Sequence, residues 1–233
     1  MSLVKGVFTF MLLMGMATAV LAAPNFLGPT GLLLTPTVET LTKGSYNVSL
    51  NVSADADSNE YALNYGINPN FEVGFSRLPS EPRLNYAMVA YKAPRYYGPN
   101  TTTIINAKYN FKAETAKGVG FSLGVMDLTE QTNATVYLVA GKQVDLKPLA
   151  ALKNLRANLG IAVSDNDGII PLDGIFGGVS FDVTPRVTLM LEHDSQRLNY
   201  GARVNLFKGV TGQVGFAGDK HPMFIGICYG RNL

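Results

Sequence analysis

Hydrophobic and polar residues alternate along most of the chain from residue 45 onward. In the first such segment Tyr46, Val48, Leu50 and Val52 fall on one face, and Asn and Ser residues occupy the other. Successive side chains of a β-strand point to opposite faces, so a period of two residues predicts strands. Most of the chain is therefore expected to form β-structure.

Twelve segments show this alternation, and each has about the 9–11 residues that a tilted strand needs to cross a bilayer, give or take two. They are SYNVSLNVS, EYALNYGI, FEVGFSR, TIINAKYNF, VGFSLGVMDL, ATVYLVAGKQV, LRANLGIAVS, GIFGGVSFDV, RVTLMLEHD, RLNYGARVNL, VTGQVGFA and MFIGICYG. We predict an all-β fold in which residues 43–233 form an antiparallel up-and-down transmembrane β-barrel of about 12 strands.

The connections bear on the number of strands, because residues 84–92 (LNYAMVAYK) could form a thirteenth. Short turns at residues 68–70, 184–186 and 207–209 are expected on the periplasmic side, where outer-membrane barrels also keep both termini. Twelve strands place the three turns and the C-terminus on that side, and thirteen do not. We therefore assign residues 78–102 to a long external loop that can carry its own hairpin.

The polar phase of the strands consists mainly of Asn, Ser, Thr, Gly and Ala, with few of the Lys and Glu side chains that a solvated sheet usually carries. Small polar residues facing one another suit an enclosed lumen of limited diameter, and the apolar phase then suits lipid. The alternative is a secreted soluble β-protein, an adhesin or carbohydrate-binding module, whose apolar faces form one closed core.

Seven charged residues fall on the inward phase and are expected to face the lumen: Glu72, Lys108, Arg156, Asp182, Glu192, Asp194 and Arg203. An isolated buried charge is costly, so these residues must pair or meet water. A turn at residues 195–197 would leave Arg203 one diagonal step from Glu192, within reach of an ion pair. The charges either brace the barrel wall or form a polar constriction that selects solutes.

Residues 1–22 have the features of a signal peptide. Lys5 supplies the positive charge, VFTFMLLMGMATAVL is the apolar core, and Val20-Leu21-Ala22 gives the small-residue pattern before a cleavage site. We expect cleavage near Ala22 and a destination in the outer membrane of a diderm bacterium. An uncleaved membrane anchor is the alternative, although the apolar run is a little short for a span.

Residues 23–42 separate the signal peptide from the first predicted strand. Two prolines of this segment, Pro29 and Pro36, are spaced so that no long strand can pair across them. The leucines are too few to span a membrane and too apolar for a free tail. We predict that this segment folds back into the periplasmic mouth and partly plugs the lumen; a disordered leader is the alternative. The residues expected at the centre of the plug are Leu32, Leu33, Leu34 and Pro36.

Composition excludes several functions. Charged residues make up 15% of the chain and the net charge is +2, so the basic patch that nucleic acid requires is absent and no nucleic-acid partner is expected. Cys228 is the single cysteine, which excludes an internal disulfide. The expected partners are outer-membrane lipids and the barrel-assembly machinery.

No catalytic constellation is found in the sequence. His193 and Asp194 are adjacent, and neighbouring residues of a strand point to opposite faces. Zinc-ligand spacing of Cys and His, a phosphate-binding glycine loop before a helix and a nucleophile elbow are all missing. We predict that the protein is not an enzyme and has no catalytic residues, metal or cofactor.

Five motifs in order resemble those of a known family. They are GPTGLLLTPTVETLTKGSYNVSLN (residues 28–51), NAKYNF (106–111), SLGVMDL (122–128), DGIFGGVSF (173–181) and LEHDSQRLNYGARV (191–204). In these segments the chain resembles the YjbH-like outer-membrane β-barrel family. The resemblance implies an outer-membrane barrel with no known enzymatic activity, associated with exopolysaccharide production, so the expected function is a small channel or an accessory to polysaccharide export. Polysaccharide is then an expected partner.

Overall fold

The computed structural model describes residues 23–53, 58–78, 102–144, 153–165, 172–218 and 223–231. Their strands are β1 (Tyr46–Ser53), β2 (Ser58–Asn68), β3 (Phe71–Leu78), β4 (Thr102–Lys112), β5 (Gly120–Met126), β6 (Thr135–Val144), β7 (Lys153–Ser164), β8 (Gly174–Thr184), β9 (Val187–His193), β10 (Leu198–Phe207), β11 (Val210–Ala217) and β12 (Met223–Arg231). Each coincides with a predicted segment to within a few residues. The segment 84–92, the possible thirteenth strand, lies outside the described residues.

The strands close into one antiparallel barrel. Each strand pairs with its neighbours in sequence, and β1 completes the ring by pairing with β12, with Tyr46 opposite Arg231 and Ser53 opposite Phe224. Closure leaves no free sheet edge, so the backbone groups of every strand in the wall find partners. The predicted up-and-down barrel of twelve strands is confirmed.

The two phases of the strands face as predicted. Along β1, Asn47, Ser49 and Asn51 are buried, whereas Val48, Leu50 and Val52 are exposed. The same outward phase carries large exposed apolar side chains around the barrel, up to 67% exposed at Ile175. Soluble proteins rarely expose so continuous an apolar surface. The outward face is therefore suited to lipid, and it is not the closed core that a soluble β-protein would need.

The two ends of the barrel differ. At the first, called the turn end below, residues 69–70, 185–186 and 208–209 make tight turns, and β1 begins and β12 finishes there. Register shifts lie beside all three turns, as bulges commonly do at barrel rims. At the opposite end, called the loop end, β3 and β7 finish and β4 and β8 begin. Among the described residues no helix is long and apolar enough to cross a membrane.

Candidate functional site in the barrel lumen

The N-terminal segment lies inside the barrel. Residues 23–38 are all buried, and isolated bridges join Pro24 to Thr30 and Gly31 to Pro36. The backbone N–H of Leu32 donates to the carbonyl of Thr35 over 2.9 Å. Residues 23–42, called the plug below, therefore fold as a compact pair of turns in the lumen and not as a disordered leader. The four residues expected at the plug's centre all lie in the buried run.

The apolar part of the plug reaches the loop end. Phe26, Leu27, Leu32, Leu33 and Leu34 are at most 3% exposed. They cluster with inward apolar side chains of the wall, mostly near the loop ends of their strands: Leu78, Ile104, Met126, Tyr137, Val139, Ala162, Leu172, Phe176, Met190, Ala217 and Phe224. The rings of Phe26 and Phe224 lie 5.3 Å apart.

The alternation alone does not predict this apolar cluster, because the inward phase is mainly polar in sequence and the plug is expected to enter only from the periplasmic mouth. One local signal could have found it. Leu78, Ile104, Met126 and Phe224 interrupt the polar phase at strand ends, where an otherwise polar lumen would have no use for them.

Inward glycines provide the space that the plug occupies. A Cβ at Gly215 would lie 3.1 Å from side-chain atoms of both Leu33 and Phe26, and one at Gly178 would lie 2.6 Å from Leu32. Such contacts are too short, so larger residues would displace the plug. The small residues of the inward phase therefore leave room for the side chains of the plug, in addition to lining a narrow lumen.

Glu72 and Lys108 bind the plug as an ion pair. They face each other across β3 and β4, with Nζ 3.3 Å from Oε1, and both side chains are almost fully buried. Glu72 accepts hydrogen bonds from the Thr30 hydroxyl, at 2.8 Å, and from the backbone N–H of Leu41, at 2.9 Å. Lys108 donates to the carbonyl of Thr30 at 2.9 Å and to that of Thr37 at 3.3 Å. The pair braces the wall and holds the plug at once.

Glu192 is enclosed by consecutive N–H groups of the plug. Its carboxylate accepts from the backbones of Leu33 at 3.0 Å, Leu34 at 2.8 Å and Thr35 at 3.2 Å. The Thr35 hydroxyl at 2.7 Å and the Asn199 amide at 3.2 Å donate to the same carboxylate. Hydrogen bonds to an ionised acceptor are the strong ones, so Glu192 offsets the cost of burying this turn.

Arg203 holds the carbonyl side of the same turn. Its Nη2 donates to the carbonyl oxygens of Leu32 at 2.9 Å, Gly31 at 3.1 Å and Pro24 at 3.4 Å. The side-chain oxygen of Gln213 accepts from the same nitrogen at 3.2 Å. Glu192 and Arg203 thus grip the two polar sides of one plug turn.

The expected ion pair between Glu192 and Arg203 is wrong. Asn199 stands opposite Glu192 on β9. Arg203 stands opposite Thr188, which lies four residues before Glu192 on the same strand. The physical reason is the turn, which closes between Asp194 and Arg197 because the Asp194 backbone N–H bonds to the Arg197 carbonyl. This closure moves the register of β10 on β9 by two residues from the one expected.

Asp194 is a turn residue and not a strand residue. Its carboxylate accepts from the backbone N–H groups of Gln196 at 3.1 Å and Arg197 at 2.9 Å, as Asp often does in turns. It also pairs with Nε of Arg197 at 3.3 Å and accepts from Asn199 at 2.9 Å. It is fully buried at the loop end, where it stabilises the connection between β9 and β10.

Arg156 and Asp182 lie nearer the turn end, beside a polar cavity of about 340 Å³ between the plug and the wall. Arg156 forms ion pairs with Glu39 of the plug and with Glu114, the latter at 2.7 Å. Asp182 accepts hydrogen bonds from Asn154 at 2.7 Å and from Thr188 at 2.6 Å. Both residues are half-buried, so these charges meet water at the edge of the plug.

The cavity continues to the turn end. Glu39, Gln143 and Arg156 line both the inner cavity and a wider one of about 720 Å³ that includes Glu114 and Lys142. Arg203 lines the inner cavity. Open space lined by polar residues therefore leads from the turn end to the residues that hold the plug. It ends there, at the apolar side chains of the plug.

The described residues contain no group of three or more His, Cys, Asp or Glu side chains that could hold a metal ion. Cys228 is buried on the inward phase, and His193 stands on the outward phase of β9. The chemistry that the lumen offers is hydrogen bonding and charge: it holds a peptide plug and presents both signs of charge to a polar solute.

No family model matches the sequence, and no curated protein matches it either. Among solved structures, a KdgM porin resembles this chain with a TM-score of 0.50 at 11% identity, over 81% of this chain and 99% of that one. A NanC porin gives a TM-score of 0.42 at 9% identity over 79% and 97%. OprB of Pseudomonas putida gives 0.30 at 15% identity over 82% and 66%. The likeness to the KdgM porin, at 11% identity, concerns fold alone: the chain has a closed β-barrel fold like that of this outer-membrane porin.

Proposed function

We propose that this protein is an outer-membrane channel of the cell envelope that its own N-terminal segment keeps closed. The observation that carries the proposal is the seating of the plug. Its apolar side chains fill the loop end of the lumen, while its backbone polar groups bond to Glu72, Lys108, Glu192 and Arg203. When the plug leaves its seat, small polar solutes pass.

The same wall charges serve both states of the channel. With the plug seated, they satisfy its backbone groups, and buried charges of this kind need such partners. With the plug gone, they stand in water on the lumen wall and present acidic and basic groups to a passing solute. The charges would then brace the wall and the plug in the closed state, and would select solutes in the open state.

The turn end faces the periplasm in this proposal, since outer-membrane barrels keep short turns and termini on that side. Cleavage of the signal peptide near Ala22 would make Ala23, which lines the inner cavity, the first residue of the plug. The barrel-assembly machinery and the membrane lipids are the partners that such a protein requires.

An accessory role in exopolysaccharide export follows from the resemblance to the YjbH-like family. The inner cavity supports it, because Gln143, Asn154 and Ser180 line that cavity and offer the neutral donors and acceptors that sugar hydroxyls take. No catalytic step is part of the proposal.

Conductance in planar bilayers tests the plug. Deleting residues 25–37 removes it, and Gly215→Leu crowds it by a point change, since the three atoms nearest to the added Cβ belong to Leu33 and Phe26. We expect both variants to conduct more than the intact chain. Gly212→Leu is the matched control on the same strand, because its Cβ meets only Leu206 at an ordinary 3.5 Å.

Assembly is checked in each sample by the change in gel migration on boiling. A deletion variant that assembles and conducts no more than the intact chain would show that the plug does not close the lumen. An equal rise with Gly212→Leu would attribute the effect to the wall and contradict the proposal in the same way.

A further inference from the structure

Exposed cations surround the turn end of the barrel. Five of them, called the basic collar below, stand on different connections or strand ends: Lys43, Lys112, Lys153, Lys208 and Arg231. They precede β1, end β4, begin β7, lie in the turn after β10, and end β12. The cations are therefore distributed around the rim.

The acidic residues that the structure describes near this end lie inside the barrel or at its mouth. In the part of the chain that the structure describes, Glu39, Glu114 and Asp182 are half-buried and Glu72 is buried. Their partners are inside the barrel or at its mouth, as with Arg156 and Lys108. The loop end differs, because Glu130, Asp165 and Asp173 are exposed there. Among the described residues, the outer rim of the turn end is thus the more basic of the two ends.

Aromatic pairs lie on the outward face directly inside the collar. Ring centroids are 6.2 Å apart for Tyr46 and Tyr229, and 6.1 Å apart for Phe111 and Phe121. Two collar residues adjoin these pairs. The ammonium of Lys112 lies 5.3 Å from the centre of the Phe121 ring, and Arg231 stands opposite Tyr46.

This arrangement matches the layers of a membrane interface. Aromatic side chains concentrate at the level between hydrocarbon and headgroups, and long basic side chains extend from there toward the headgroups. A phosphate group just beyond the aromatic pairs would meet the collar around the whole rim. Charge and depth together therefore point to a lipid headgroup.

We propose that the basic collar binds the anionic phospholipid headgroups of the periplasmic leaflet. The proposal rests on the proposed membrane function and adds a lipid preference to it. The collar contacts phosphate groups that carry net negative charge, while the acidic loop end does not attract them. Such contacts fix the depth of the turn end in the leaflet, and salt weakens them because they are exposed.

The test measures which lipids the full mature chain retains. The protein is placed in nanodiscs of phosphatidylcholine mixed with phosphatidylglycerol, extracted gently, and the bound lipids are quantified by mass spectrometry. We expect phosphatidylglycerol to be enriched over the bulk mixture. Arg231→Gln should lower the enrichment roughly two- to fivefold, the effect of one cation near an anionic surface, and adding Lys112→Gln and Lys208→Gln should lower it further.

Arg77→Gln is the matched control, because Arg77 is also an exposed arginine on a strand, but at the loop end. It should leave the enrichment unchanged. An assembled protein without preference, or an equal loss in the Arg77 variant, overturns the collar proposal alone. Dextran sulfate serves as a soluble polyanion in the same experiment. If the protein binds it equally well in mixed nanodiscs and in pure phosphatidylcholine nanodiscs, and it displaces no lipid, the collar binds a soluble polyanion and the lipid proposal is overturned. Failure to insert into nanodiscs at all overturns the membrane function itself.

Discussion

Glu192 and Glu60 are inward carboxylic acids of nearly equal burial, 1% and 2% exposed, with very different surroundings. Glu192 accepts from three consecutive plug N–H groups, a hydroxyl and an amide. Neither oxygen of Glu60 has a hydrogen-bond partner among the residues that the structure describes. At the residue scale, burial alone therefore does not identify the residues that hold the plug; the partners do.

The two acids should respond in opposite ways to the same substitution. Glu192→Gln replaces one acceptor oxygen by a donor that faces plug N–H groups, so it should lower the free energy of unfolding by roughly 1–3 kcal/mol. Glu60→Gln removes a buried acid that has no partner to lose, so the free energy should stay the same or rise. Equilibrium unfolding in urea measures both free energies. It is followed by far-ultraviolet circular dichroism, because the chain contains no tryptophan for fluorescence. Equal losses in the two variants would show that the plug contacts of Glu192 contribute nothing.

At the scale of one element, β10 shows how a strand separates lipid from lumen. Val204 stands on the outward phase and Asn205 on the inward phase near the turn end, where Asn205 bonds to Thr211 at 3.2 Å. Both are half-buried, so they differ mainly in what they face. Asn158, also inward, would be a poor control because its side chain accepts from Val38 of the plug.

Arginine at these two neighbouring positions should separate the faces. Val204→Arg should reduce the free energy of folding into lipid vesicles, by less than the roughly 2–4 kcal/mol that a lipid-facing arginine costs at the midplane, because Val204 lies toward the turn end. Asn205→Arg should be far milder, since its side chain reaches the water of the lumen mouth. The folded fraction across a urea series in vesicles gives the two values. Similar losses at both positions would mean that the faces of β10 are exchanged.

At the scale of the whole molecule, the barrel has two apolar surfaces, one on its outer face and one inside the lumen at the loop end. The apolar belt outside needs lipid, and the apolar cluster inside needs the plug. A chain of this design should be stable only in a membrane or detergent.

Fractionation tests this statement for the intact protein. We expect the protein in the outer-membrane fraction, with a folded band whose gel migration changes on boiling, because closed barrels resist unfolding in detergent until heated. Soluble periplasmic proteins of similar mass are the control for the fractionation. A protein found wholly in the soluble fraction, with no migration shift, would contradict the membrane assignment.

The strands and their faces were predictable because they depend on local alternation. The phase of Tyr46–Ser53 can be determined within that segment alone, since the backbone sends successive side chains to opposite sides. The number of strands followed from repeating this pattern, and the position of the turns from short polar runs such as residues 69–70. The inward position of Glu72 and Lys108 came from the same phase.

The plug's contacts were decided only by the tertiary structure. That Glu192 bonds to Leu33, Leu34 and Thr35, about 160 positions earlier in the chain, depends on how deep the plug sits, and no local pattern encodes that depth. The register of β9 with β10 depended on one turn residue, Asp194, whose backbone bond to Arg197 closes the turn early and moves Arg203 away from Glu192. Alternation thus determines which way a side chain points, whereas closure of the barrel around the plug determines what it meets.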